Sequence, residues 1–166
     1  GSPLCLRLVL GMLLDFPWEE LAGILRGWSE LSEGEDAGNG SRISAHALCS
    51  FAVENYALQN PPAAVLLSRM VHGVGGITLP ALGSLFWDDL GSPSELQATV
   101  EALAERGLLE LDRLNERAYI HPVVRRYLNE NAVMLGEEWD RRHAAFYVTR
   151  VQQYQKLPLQ RWDEVD

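Results

Sequence analysis

The sequence predicts a mainly α fold, a small helical bundle followed by a helical unit that carries a two-stranded β-hairpin. Apolar residues recur at helical spacing along most of the chain. Helix-start signals stand ahead of successive apolar stretches, at Pro3, Pro17, Ser44, Asn60-Pro61 and Ser92-Pro93-Ser94-Glu95. Strand-like sequence is confined to 108–112 and 117–121, on either side of the polar turn 113–116.

Each element has its own reason. The first helix is expected over 3–14, with proline in the turn where backbone N–H groups lack partners anyway. Only Arg7 interrupts its apolar surface, so burial nearly all round is expected. A second helix starts at Pro17, with Glu19 and Glu20 placed favourably against its dipole. Leu21, Ile24, Leu25 and Trp28 form its apolar face. The glycine- and acid-rich stretch 29–42 reads as a surface loop. Ser44 caps a third helix, with Ala47, Leu48, Phe51 and Ala52 at helical spacing. Asn60-Pro61 opens a fourth, reaching about position 71, and Gly73, Gly75 and Gly76 make a turn before a short helix over 79–88.

Ser92-Pro93-Ser94-Glu95 is a capping box with proline at the first helical position. The helix it opens directs Leu96, Val100, Leu103 and Ala104 inward and stops at Gly107. Helices followed at once by a hairpin make the winged-helix plan. Pro122 begins a further helix through Val123, Tyr127 and Leu128, and an amphipathic one covers 137–155. These signals divide the chain into a helical domain over 1–57, a winged-helix domain over 58–128 and a helical linker over 129–166.

Composition narrows the function. Hydrophobic residues at 47% and charged residues at 22% describe a globular chain, not a disordered one. The longest apolar run, 8–14, is too short to span a bilayer, and the opening residues lack the pattern of a secretory leader. Cys5 and Cys49 sit in helical apolar patterns, as free thiols do in a reducing compartment, so a cytoplasmic location is expected. None of the histidines stands at metal-ligand spacing from another His or Cys.

Net charge is −9, and residues 60–120 carry four basic against eight acidic groups. A DNA-reading winged helix lays the helix before its wing in the major groove. Here the outward face of that helix carries Ser94, Ala98, Glu101 and Glu105, and the hairpin sets Glu110, Asp112 and Glu116 against Arg113 and Arg117. Phosphate binding needs several cationic contacts, which this surface does not supply. Nor does the chain contain a phosphate-loop string, a Gly-x-Ser-x-Gly elbow or a His-Glu-x-x-His pair. No complete catalytic site is therefore expected within it.

Two segments resemble a known family. Gly1-Ser2-Pro3-Leu4, followed by Cys5-Leu6-Arg7-Leu8-Val9, is similar to the Gly-x-Pro-Leu motif opening the helical domain of STAND (NB-ARC-type) signalling ATPases. Ala118-Tyr119-Ile120-His121-Pro122-Val123-Val124-Arg125-Arg126-Tyr127-Leu128 resembles the segment that closes their winged helix. Gly107-Leu108-Leu109-Glu110 fits the family's turn into the wing, and Arg142-His143-Ala144-Ala145-Phe146-Tyr147 is similar to the helix leading toward a sensor domain. The resemblance spans about residues 1–150.

It implies a regulatory switch coupling ADP/ATP state to domain rearrangement and homo-oligomerisation in signal transduction. Pro3 and Leu4 would contact adenine, and His121 would sense the β-phosphate. Magnesium and nucleotide would be held by a core preceding this region, with a sensor domain following, both on the same polypeptide; tight nucleotide binding by the present residues alone is not expected. Two other functions compete: an acidic winged helix that docks a basic protein partner, and a winged-helix transcription regulator.

Overall fold

A computed structural model describes residues 3–32, 44–57, 59–73, 75–90, 92–131 and 137–157. Its helices are α1 (Pro3–Met12), α2 (Trp18–Ser32), α3 (Ala45–Ala52), α4 (Pro61–Met70), α5 (Leu79–Leu90), α6 (Pro93–Glu105), α7 (Pro122–Glu130) and α8 (Glu137–Lys156). Its strands are β1 (Ile77–Thr78), β2 (Glu110–Asp112) and β3 (Arg117–Tyr119). The fold is mainly helical with one small antiparallel sheet of order β1-β3-β2.

The predicted hairpin thus gains a third strand. Ile77 and Thr78 pair with Ala118 and Arg117, while β2 pairs with β3 through Glu110↔Tyr119, Leu111↔Ala118 and Asp112↔Arg117. Two residues are too few to show an alternating pattern, so β1 left no periodic signal. Its β-branched pair is held by tertiary pairing, and Thr78 Oγ1 then accepts the Ala81 N–H at 3.3 Å to start α5.

The caps behave as their chemistry dictates. Ser44 Oγ accepts the Ala47 N–H at 3.0 Å, and Asn60 Oδ1 accepts that of Ala63 at 3.4 Å. Ser92 Oγ accepts the Glu95 N–H at 3.2 Å and donates to the Glu95 carboxylate at 2.9 Å. Half of the expected capping box is therefore replaced: Glu95 takes the cap hydroxyl instead of the cap N–H.

Several boundaries differ from expectation: α1 ends at Met12 and not at 14, α5 runs on to Leu90, and β3 ends at Tyr119 and not at 121. Helix α2 continues to Ser32, because Glu30 and Leu31 are good helix formers and Gly27 alone does not stop it. The rest of the predicted loop, 33–43, lies outside the described residues, as do Gly1 and Ser2. Strand β2 begins at Glu110, not at 108. Leu108 and Leu109 instead donate their N–H groups to Leu103 O, closing α6 around Gly107 at φ +72°.

Helix α3 runs into a π-helical turn, Val53–Ala57, which the sequence pattern did not announce. Two residues of that turn make contacts to distant elements. Glu54 accepts the Tyr127 hydroxyl at 3.0 Å, and Tyr56 lies beneath the Arg106 guanidinium, 3.7 Å from its ring centre.

A contiguous apolar core runs from Leu4, Leu8 and Met12 of α1 through Leu21, Leu48 and Cys49 to Leu66, Phe86, Leu103 and Val124. The Cys49 thiol is fully buried, and burial pushes it up to about 12, which keeps it protonated and inert. Helix α1, expected to be buried nearly all round, is buried on one side only. Leu6 and Leu10 are 62% and 55% exposed, and Leu14 and Trp18, which follow α1, are exposed as well. One face of the helix packs on α3, and the leucines opposite it stay exposed. No helix among the described residues is long and apolar enough to cross a membrane.

Candidate functional site

The site is built at the junction between β3 and α7. His121 is the N-cap of α7, with extended backbone at φ −57° and ψ 140°, and Pro122 fills the first helical position. Its Nδ1 accepts the Val123 N–H at 3.2 Å, and its carbonyl accepts the Arg125 N–H at 2.9 Å. An imidazole nitrogen that accepts a hydrogen bond carries no proton. The neutral ring therefore holds its proton on Nε2. The side chain is half-buried, neither sealed in the core nor freely mobile in solvent.

The surroundings of the junction are cationic and tightly tied. One turn into α7, Arg125 donates to Gly73 O at 2.9 Å, and Arg117 of β3 donates to Gly75 O at 3.1 Å. Gly76 has φ +78°, and a Cβ there would meet the Tyr119 ring at 2.5 Å. This glycine turn offers carbonyl oxygens to arginines, the reverse of a phosphate cradle, which offers N–H groups. On the outer side of α7, Arg126 and His46 reach the Glu130 carboxylate at 2.8 Å and 3.3 Å. The Arg126 hydrogen bond holds that carboxyl below its ordinary range.

Of the residues expected to touch adenine, Pro3 is exposed at the start of α1, whereas Leu4 is 4% exposed and packs in the core. Helix α1, which Pro3 opens, and helix α7, which His121 caps, both pack against α3.

A seam between the first three helices and the sheet-bearing part contains residues that sequence reasoning passed over. Arg106 makes a bidentate pair with Asp15, at 2.9 Å from Nε and 2.7 Å from one terminal nitrogen. Gly11 lets α1 lie directly on the end of α6; an added Cβ would meet the Cα, carbonyl carbon and oxygen of Arg106, the last two at 2.6 Å. Arg7 completes the contact with Glu110 at 2.7 Å. A glycine inside an apolar helix pattern is the one advance signal of this close approach.

The outward face of α6 is as acidic as its sequence implies: Ser94, Ala98, Glu101 and Glu105 are all exposed, with Leu96, Val100 and Leu103 buried behind them. Comparison with family models, with curated proteins and with solved structures finds no match for this chain.

Proposed function

We propose that α4, the sheet and α5–α7 form a winged-helix unit, and that the chain is the regulatory switch section of a STAND-type ATPase. The element order helix–strand–helix–helix–strand–strand supports the winged-helix reading. The observation that carries the functional reading is the state of His121. Its Nδ1 is committed to the α7 cap, so Nε2–H is the donor left to meet a ligand from outside the chain. A β-phosphate oxygen presented by a neighbouring nucleotide-binding core is an acceptor of the right chemistry.

A hydrogen bond to such a charged group contributes about 1.5–3 kcal/mol. Made in only one nucleotide state, it shifts a two-state domain arrangement by about tenfold or more. In this reading Pro3, exposed at the start of α1, is the residue of the opening motif that touches the base. The outward leucines Leu6 and Leu10 supply an apolar surface on which the nucleotide-binding core would rest. In this reading ADP holds the parts together, and its replacement by ATP releases the winged unit and permits oligomerisation.

The test is the assembly state of the full-length polypeptide. Purified with ADP, it should sediment as a monomer, and His121→Ala should sediment as an oligomer without added ATP. A His121→Ala protein that stays monomeric and ADP-loaded overturns the assignment.

A further inference from the structure

Between α5, α6 and the β2–β3 turn lies a groove of about 340 Å³. Leu79, Pro93 and Leu111 give it apolar walls above the buried Leu82, Leu96 and Val100. Its borders carry Glu101, Asp112 and Glu116 against a single cation, Arg113. The volume falls in the range of built ligand sites, and the wall is apolar with a few charges at the edge. Gly83 opens the floor further: it lines the groove, and a Cβ there meets no atom within 4 Å.

The carboxylates are not equally available. Asp112 is spent on its own turn, accepting the N–H groups of Leu114 and Asn115 at 3.0 and 3.1 Å and the Asn115 side chain at 2.6 Å. Glu101 has one oxygen engaged by Gln97 at 3.0 Å and is exposed, as is Glu116 on the far border. The groove thus pairs an apolar trough with two flanking carboxylates that face solvent.

We infer that this groove docks a basic amphipathic helix of a protein partner, its leucine-type side chains lying against Leu79 and Leu111 and its Lys or Arg residues meeting Glu101 and Glu116. Helices seat in apolar grooves through residues one turn apart, with flanking charges setting orientation. Charge chooses the occupant. A second copy of this chain, at net −9, meets the acidic border with like charge, and an acidic or phosphorylated segment does the same. The inference uses neither Pro3 nor His121 and holds or fails independently of the nucleotide reading.

The probe is a dye-labelled Leu/Lys amphipathic peptide of roughly 14 residues, followed by fluorescence anisotropy at about 50 mM salt. It should bind the intact chain, and a version with serine for leucine should not. Gly83→Leu fills the trough while favouring the helix, and should weaken binding at least about tenfold. The double variant Glu101→Lys, Glu116→Lys should do the same. Glu19→Gln with Glu20→Gln, which removes equally exposed charge on α2, should change affinity less than about twofold. Three outcomes overturn the proposal. They are affinity untouched by Gly83→Leu, equal loss on neutralising Glu19 and Glu20 (a general field and no site), or a self-association that Gly83→Leu abolishes.

Discussion

Gly11→Leu should lower stability by about 3 kcal/mol or more, because backbone has to move to admit the side chain. The new Cβ has nowhere to go. It would lie against the Cα, carbonyl carbon and oxygen of Arg106, and backbone atoms cannot rotate aside as a side chain does. Separating α1 from the end of α6 also stretches the bidentate Arg106–Asp15 pair and lifts Arg106 from the Tyr56 ring. A loss of that size lowers the unfolding midpoint by on the order of 10 °C in a chain of this length. Gly23 is the internal comparison. It also sits in a helix, but a Cβ there meets nothing within 4 Å. Gly23→Leu should leave the midpoint unchanged or raise it, since glycine inside a helix costs about 0.5–1 kcal/mol. Calorimetry of both variants checks the seam. Equal midpoints would mean that α1 does not rest on α6.

The second large effect is expected at Phe86. Its ring is fully buried in the core from α5, with the Arg69 guanidinium 5.7 Å from its centre. Phe86→Ala leaves a cavity that the surrounding leucines fill only in part, and the cost is about 3–5 kcal/mol. The loss should appear as a lower denaturant midpoint with an unchanged slope, since the core still unfolds as one body. Leu114, at the tip of the hairpin and 91% exposed, provides the contrast. Leu114→Ala should shift nothing measurable.

These two sites show what the sequence made legible and what it did not. The helices with strong local chemistry were readable: Ser44, Asn60 and Ser92 cap where they should, and the apolar stripe of α6 faces inward. Local rules decide caps and faces, so a local reading finds them. The features that pass unseen are those fixed by partners distant in sequence. Strand β1 exists because β3 pairs with it, and the outward leucines of α1 stay exposed because only one face of that helix meets α3. Apolar composition alone could not distinguish a buried helix from one with an unpartnered side.

The candidate site divides in the same way. His121 was reached through its neighbours in sequence, but its role as the α7 cap was not, because the strand was expected to run through it. Pairing ends at Tyr119, which frees the His121 backbone to turn into the helix and its Nδ1 to take the Val123 N–H. Nothing in the spacing of Asp15, Arg106 and Tyr56 announces that they meet. Only the glycine at position 11 hints at it.

The most direct measurement is the rate at which a fluorescent ADP leaves the full-length polypeptide, with His121 present and with His121→Asn. Asparagine is a good N-cap, so α7 keeps its start and its stability, while the Nε2–H is removed from its position. Release about tenfold or more faster in His121→Asn, with an unchanged unfolding midpoint, is the expected result for a bond to a charged phosphate. Equal release rates in the two proteins would contradict the sensor role of His121.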